Sequence, residues 1–143
     1  MQGRLVRDEN RTIQSFPSKN WKKEFPKAYE LGLKNMEWTI DRKNIFKNPL
    51  FSKNGVKVIN KLKNKYSINI NSVTCDFFMQ NPFFKIKNKK TSKKELNLIY
   101  KLIDFSNKVG IKYFIFPLVD NASLKNEEDE LDLIKNLKQF SRN

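Results

Sequence analysis

The chain has 143 residues, enough for one domain with a real core but short of the roughly 250 residues of a closed (β/α)₈ barrel. No stretch approaches the roughly 20 apolar residues of a membrane span, and the polar first ten residues lack the apolar core of a secretory signal. With no histidine and a single cysteine, the chain alone supplies no Ser-His-Asp or Cys-His site, no histidine metal ligand and no internal disulfide. We therefore expect a cytoplasmic protein with no membrane partner.

The net charge of +14 raises the question of a nucleic-acid partner. The basic residues are 24 lysines and only 5 arginines, and the lysines are spread along the sequence. Asparagine and isoleucine are also abundant, so AT-rich codon usage alone could produce this composition. Arginine, which makes the bidentate contacts of specific recognition, is scarce. We therefore interpret the charge as a solvated basic surface and do not expect a nucleic-acid partner.

A repeated pattern organises the chain. Four times, a short apolar run ends in a polar or charged cluster, and an amphipathic helical stretch follows. The clusters are Gln2-Gly3-Arg4, Glu37-Trp38, Cys75-Asp76 and Asp120-Asn121. This is the pattern of a parallel β/α fold, in which functional groups lie at the carboxyl ends of strands. It predicts one partial domain over residues 1–143 without an internal linker, formed by the first four units of a TIM barrel, and hence a fragment of an enzyme.

The first unit begins with Met1–Leu5, which has the character of the end of a strand. A helix is predicted over Trp21–Leu31, with Asn20 as its N-cap and Gly32 as its C-terminal stop. Pro26 would remove a hydrogen bond from the helix interior, so we expect a kink or a late helix start.

The second unit has a predicted strand at Asn35–Ile40 and a helix over Asn54–Tyr66 that Ser52 caps. Ser67 follows the helix at a position where a left-handed conformation is expected, at a cost of roughly 1–2 kcal/mol.

The third unit has a predicted strand over Ile68–Asp76 and a helix that ends at Gly110. Ser92 and Glu95 are spaced as a capping box, which predicts the helix start at that point.

The fourth unit has a predicted strand over Ile111–Val119 that is nearly all apolar, as is typical of a strand buried on both faces. Asn126 is the predicted cap of the last helix.

An ordered set of short motifs extends over essentially the whole chain. They are Met1-Gln2-Gly3-Arg4-Leu5, Ile13-Gln14-Ser15-Phe16-Pro17, Asn20-Trp21, Glu24-Phe25, Met36-Glu37-Trp38, Asn48-Pro49-Leu50, Ile70-Asn71-Ser72-Val73, Asp76-Phe77-Phe78-Met79 and Pro117-Leu118-Val119-Asp120-Asn121. In this order and spacing, the sequence resembles the N-terminal half of xylose isomerase-like TIM-barrel proteins, the sugar phosphate isomerases/epimerases. It departs from their pattern at Pro26 and at Ser67, where similar sequences often have glycine.

The resemblance implies a (β/α)₈ barrel that isomerises or epimerises a small sugar or sugar phosphate by proton transfer next to a carbonyl. It also implies a divalent metal ion (Mn, Mg, Zn or Co) at the carboxyl-end mouth of the barrel. In this family the metal ligands are carboxylates and a histidine from strands five to eight. Those strands would lie beyond Asn143, so we expect no metal ligand in this chain.

Polar residues at the predicted strand ends are the candidate site residues. Glu37 is the candidate catalytic carboxylate, either a base or a ligand of a substrate hydroxyl; alternatively, it satisfies loop amides or pairs with Arg4. Asp76, Asp120 and Asn121 are candidate substrate-binding residues, although asparagine after a strand is often only a turn residue.

Two larger side chains complete the candidate substrate site. Arg4 could bind a substrate phosphate or carboxylate, or form a salt bridge across the barrel mouth. Trp38 could form an apolar wall against a sugar ring, although aromatic side chains more often pack in cores. Cys75 is interpreted as a small buried residue, because no nearby histidine or cation would activate its thiol.

Two further functions stay open from the sequence. The positive charge is compatible with a metal-dependent nuclease like endonuclease IV, which shares the barrel, but such enzymes have histidine-rich metal clusters. Alternatively, the chain is a non-catalytic half barrel whose open sheet edges and apolar face lead to self-association, and a homo-oligomer would follow.

Overall fold

The computed structural model describes residues 5–6, 15–43 and 45–140 of the chain. Each strand in these ranges is followed by one or two α-helices, and loops and short 3₁₀ turns join the elements. The elements are α1 (Glu24–Glu30), β1 (Asn35–Thr39), α2 (Lys53–Tyr66), β2 (Asn69–Thr74), α3 (Phe77–Gln80), α4 (Lys89–Val109), β3 (Tyr113–Ile115) and α5 (Glu127–Phe140). The predicted first strand lies outside the described residues except for Leu5.

The strands form one parallel sheet in the order β1-β2-β3. Trp38 of β1 is paired with Val73 of β2, which is paired in turn with Phe114 of β3. Helix α2 contacts both α1 and α4. Because crossovers between parallel strands are right-handed, consecutive strands in this order place their connecting helices on the same face of the sheet. The predicted parallel α/β class is confirmed.

An irregularity in β2 sets which side chains reach the core. Asn35 is paired with Asn69, but Glu37 is paired with Ser72, so β2 has one extra residue between these pairs. Side chains alternate between faces along a regular strand. The extra residue allows both Ile70 and Val73 to belong to the buried core, although they are three residues apart.

Helix α1 starts later than its apolar pattern suggested. Trp21–Lys23 is a 3₁₀ turn, and the α-helix begins at Glu24. Pro26 therefore lies in the first turn of α1, where backbone N–H groups have no partner within the helix. The late start is confirmed, whereas Asn20 makes no side-chain capping hydrogen bond. Gly32 follows the helix with a φ of 71°, as expected for a stop.

The expected caps of the later helices are mostly confirmed. The Ser52 hydroxyl accepts a hydrogen bond from the Gly55 N–H over 3.0 Å, and the Asn126 side chain accepts one from the Asp129 N–H over 2.9 Å. Ser67 ends α2 in the left-handed conformation, with a φ of 51° and a ψ of 42°.

The predicted start of α4 is wrong. The helix begins at Lys89, and the Asn88 side chain caps it by accepting a hydrogen bond from the Thr91 N–H over 3.1 Å. Asn88 and Thr91 have the same spacing as Ser92 and Glu95, and the earlier pair forms the cap. Glu95 lies inside the helix and makes an ion pair with Arg42.

Burial of β3 on both faces is also wrong. The strand has three residues, and Tyr113 and Ile115 are 65% and 40% exposed. Strand β3 forms an edge of the sheet, and no described element covers the face that these two side chains share.

Among the described residues, no helix combines the length and the apolar character needed to cross a membrane.

Candidate functional site

The face of the sheet opposite the helices carries a polar cluster. Alternation along β1 puts Glu37 and Thr39 on one face and Trp38 on the other. The register then places Ser72 and Thr74 of β2 beside Glu37 and Thr39. We call these four residues, Glu37, Thr39, Ser72 and Thr74, the carboxylate–hydroxyl cluster.

Both carboxylate oxygens of Glu37 accept hydrogen bonds from this cluster. The Thr74 hydroxyl donates to Oε1 over 2.6 Å, and the Ser72 hydroxyl donates to Oε2 over 2.9 Å. Two such bonds, one to each oxygen, fix the orientation of the carboxylate. The two hydroxyls thus position the Glu37 side chain on a rigid part of the sheet.

Thr39 adds a hydroxyl to the same face. It is 3% exposed, and its Oγ1 has no hydrogen-bond partner among the residues that the structure describes. A buried hydroxyl without a partner costs free energy of about 1–3 kcal/mol. This makes Thr39 a donor that a bound polar group could satisfy.

One small cavity borders the cluster. A space of about 10 Å³ lies between Glu37, Thr39 and Phe16, which is about the size needed for one water molecule. A ligand as large as a sugar does not fit in this cavity.

The later candidate residues lie beyond the carboxyl ends of β2 and β3. Asp76 immediately precedes α3 and is 5% exposed. Asp120 and Asn121 are exposed and begin the 3₁₀ turn Asp120–Ala122, where Asp120 has a φ of 52°. This turn contacts α3, so the structure brings the two segments together. Asp76 also follows Thr74 of the carboxylate–hydroxyl cluster by two residues.

Trp38 does not occupy the position expected of a substrate wall. It is 3% exposed on the helix-covered face, with its ring centroid 5.3 Å from that of Phe16 and 5.7 Å from that of Trp21. Its indole N–H donates to Asn48 Oδ1 over 3.0 Å. Because it alternates with Glu37 along β1, it cannot share the face of the carboxylate. Its position is that of a core residue.

Arg4 and Cys75 are the remaining residues that the sequence singled out. Arg4 lies outside the described residues. Cys75 is fully buried. Burial, and to a smaller extent the charge of Asp76, raises the pKa of the Cys75 thiol, so the thiol is protonated at neutral pH. The burial and the raised pKa agree with the interpretation of Cys75 as a small core residue.

Within residues 5–6, 15–43 and 45–140, no three histidine, cysteine, aspartate or glutamate side chains are arranged so that they could hold a metal ion. The neighbours that Glu37 meets in the cluster are neutral hydroxyls, whereas divalent cations in proteins are usually held by several carboxylates or imidazoles. The described residues do not by themselves fit a divalent metal ion.

Sequence reasoning missed Thr39, Ser72 and Thr74. A signal for them existed, because Glu37 and Thr39 have the same parity along β1, and Ser72 and Thr74 have the same parity along β2. Because β2 has an extra residue, the alternation of its side chains does not by itself show which of them lie on the same face as Glu37.

No protein-family model matches this chain, and no curated protein shows significant similarity to it. The resemblance to xylose isomerase-like proteins therefore stays a prediction.

Proposed function

We propose that this chain is part of a (β/α)₈-type enzyme that isomerises or epimerises a small sugar or sugar phosphate, with Glu37 as the group that moves the proton. The observation that supports this most is the Glu37 carboxylate, held between the hydroxyls of Ser72 and Thr74 on the face of the parallel sheet opposite the helices.

The strand order supports the barrel part of this proposal. Strands that are adjacent in sequence are adjacent in the sheet, and α1, α2 and α4 form one contacting layer. A doubly wound sheet reverses its strand order and has helices on both faces, whereas a barrel continues in one direction with helices outside. In a barrel, the face that carries Glu37 would line the interior.

The chemistry follows from the properties of a positioned carboxylate. Glu37 would take a proton from the carbon next to the substrate carbonyl, so that a C–H bond breaks and an O–H bond forms on the carboxylate. The electron pair moves to the carbonyl oxygen and gives an enediolate. The hydroxyl proton of the enediolate then moves from one oxygen to the other, and return of the carbon-bound proton from Glu37 to the neighbouring carbon completes an aldose–ketose isomerisation. The Thr39 hydroxyl is available to donate to a substrate oxygen.

A divalent metal ion is implied by the resemblance, and it would polarise the substrate oxygens. By the same resemblance, its ligands would come from strands five to eight. Asp76, Asp120 and Asn121 would contact substrate hydroxyls from the loops after β2 and β3, and Arg4 would contact a phosphate.

Proton exchange tests this proposal directly. Ketoses, aldoses and their phosphates are incubated with the protein in D₂O, with each divalent metal ion in turn, and NMR follows deuterium incorporation next to the carbonyl. We expect incorporation for at least one substrate, and we expect Glu37→Gln to reduce its rate by at least about 100-fold.

The matched control is Glu30→Gln, an exposed position on α1, which should leave the rate unchanged. Circular dichroism of both variants establishes that they fold. The proposal is wrong if no sugar exchanges its proton, or if Glu37→Gln exchanges it as fast as the wild type.

A non-catalytic, self-associating module is the second candidate, and the exposure of β3 favours it. Tyr113 and Ile115 are exposed on an edge strand, and Leu131 of α5 is 59% exposed. Exposed edge strands with apolar side chains promote pairing between chains. Sedimentation velocity should then show a dimer or larger species that Ile115→Lys dissociates, while Tyr29→Lys, a change at an exposed apolar residue of α1, does not.

A further inference from the structure

A groove on the helical side of the molecule collects positive charge. It has a volume of about 470 Å³ and lies between the loop after β1 and the first half of α4. Its basic lining residues are Arg42, Lys90, Lys93, Lys94 and Lys101. We call it the lysine groove.

One wall of the lysine groove is held in place by an ion pair. The Arg42 guanidinium donates to both carboxylate oxygens of Glu95, over 2.7 and 2.8 Å. Glu95 is 4% exposed. This pair is neutral overall, so the net positive charge of the groove comes from its four lysines.

The lysines form a row along α4. Lys90, Lys94 and Lys101 are separated by four and seven residues, which places them on one face of the helix. At about 1.5 Å per residue, the row extends over about 16 Å. That is too long for one phosphate group, whereas a stacked nucleic-acid strand, at about 3.4 Å per nucleotide, would place about five nucleotides along it.

An aromatic ring lies at the same groove. Phe46, in the 3₁₀ turn Ile45–Lys47, is 71% exposed. Its ring packs edge-on against Phe51, with 6.1 Å between the centroids, so part of its position is fixed by the fold. Exposed aromatic rings beside a basic track are the means by which proteins bind single strands, with bases stacked on the rings.

We infer that the lysine groove binds single-stranded nucleic acid, with Lys90, Lys94 and Lys101 contacting phosphates along one strand and Phe46 stacking on a base. The lysines are spread along the sequence, but the helical period of α4 brings them into one row. The groove is separate from the carboxylate–hydroxyl cluster, so this binding does not depend on the proposed enzymatic function.

The test uses the full chain and fluorescence anisotropy. The probe is a labelled oligothymidylate of about twelve nucleotides, long enough for one site. We expect binding near physiological ionic strength. The variant Lys90→Gln/Lys94→Gln should weaken it at least about tenfold and should reduce the slope of log K against log salt by about 1.4, which corresponds to two lost phosphate contacts.

The matched control is Lys57→Gln/Lys61→Gln, an exposed pair with the same spacing on α2 and outside the groove. It removes the same charge and should weaken binding less than about twofold. Equal weakening by both pairs would mean that net charge alone attracts the strand, and it would overturn the inference. No measurable binding would also overturn it.

Two further probes separate a nucleic acid from other polyanions. Phe46→Ala should weaken binding of the oligothymidylate about fivefold or more, since stacking on one base is worth about 1–3 kcal/mol. It should leave binding of an abasic strand of the same length unchanged. If polyglutamate of equal charge binds as tightly as the oligothymidylate, the groove is a site for acidic protein segments and the inference is wrong.

Discussion

Arg42 and Glu95 are 53 residues apart in the sequence, yet the guanidinium of one meets the carboxylate of the other in two parallel hydrogen bonds. The pair joins the loop after β1 to the second turn of α4. Glu95 is almost fully buried, whereas the Arg42 side chain is 37% exposed. Hydrogen bonding to Glu95 raises the pKa of Arg42 above its ordinary value.

A double-mutant cycle should measure this connection. With Arg42→Ala, Glu95→Ala and the double variant, we expect a coupling free energy of about 1 kcal/mol in urea unfolding, because solvent screens the exposed side of Arg42. The exposed pair Asp104 and Lys108 on α4 is the comparison, and its coupling should be about 0.3–0.5 kcal/mol. Equal coupling free energies in the two pairs would mean that the burial of Glu95 does not strengthen its ion pair with Arg42.

A negative charge at position 48 should lower the stability of the fold. Its Oδ1 accepts hydrogen bonds from Trp38 Nε1 and the Leu50 N–H, and its Nδ2 donates to the Thr39 carbonyl over 3.1 Å. Asn48→Asp removes that donor and buries a carboxylate against a carbonyl oxygen. We expect the free energy of unfolding at pH 7 to fall by about 2–4 kcal/mol.

Part of that loss should return at low pH, because a protonated aspartic acid can donate to the Thr39 carbonyl. The control is Asn64→Asp, an exposed position on α2, which should change stability by less than about 0.5 kcal/mol. If Asn48→Asp lowers the free energy of unfolding as little as Asn64→Asp does, the three hydrogen bonds of Asn48 contribute little to stability.

Gly55 should reverse the usual effect of replacing glycine in a helix. A change from glycine to alanine inside a helix normally stabilises by about 0.5–1 kcal/mol. At Gly55, however, an added Cβ would lie 1.9 Å from the Pro49 carbonyl oxygen. We expect Gly55→Ala to lower the free energy of unfolding by about 1–3 kcal/mol or more. The neighbouring Asn54→Ala variant is the control. A gain in stability for Gly55→Ala would show that α2 lies farther from the Pro49 carbonyl than the 1.9 Å approach implies.

Glu24 should make stability depend on pH. Burial raises the pKa of its carboxyl above the ordinary value, although the N–H groups of Leu5 and Val6, which donate to it, act in the opposite direction. A raised pKa in the folded state means that the folded protein binds the proton more tightly. The stabilising contribution is therefore complete below the ordinary carboxyl pKa and is lost as pH rises through the raised pKa.

Urea unfolding of the wild type and Glu24→Gln, at several pH values, tests this linkage. Because glutamine does not titrate, the wild type should lose stability relative to Glu24→Gln as the pH rises through this range. The exposed Glu30→Gln variant gives the background for α1. A wild type that instead gains stability relative to Glu24→Gln would mean that the two backbone donors outweigh burial.

Local features of the fold could be predicted from the sequence because their signals are local. The Ser52 cap, the left-handed Ser67 and the late start of the helix at Pro26 each depend on a few neighbouring residues. The start of α4 was misplaced because Asn88 and Ser92 both begin a capping pattern, and only the tertiary position of Glu95 beside Arg42 distinguishes them. The Arg42–Glu95 pair itself has no local signal.

The candidate site was harder to predict for a geometric reason. Glu37 could be identified because it ends an apolar run. Its hydroxyl partners, however, come from another strand, and the sequence of one strand does not show which residues of another strand pair with it. The exposure of Tyr113 and Ile115 was also missed, because an apolar strand has the same sequence whether or not something covers it.

The extra residue in β2 has a consequence for how this chain can change over generations. The part of β2 at Ile70 and the part from Ser72 onwards are out of phase, and Asn71 lies between them. Deleting Asn71 would leave Ile70 and Val73 two residues apart, so a regular ladder would keep both on the core side and would keep Ser72 and Thr74 beside Glu37. The strand can therefore lose this one codon and still keep its inner and outer surfaces, whereas a one-codon deletion in a regular strand would exchange them.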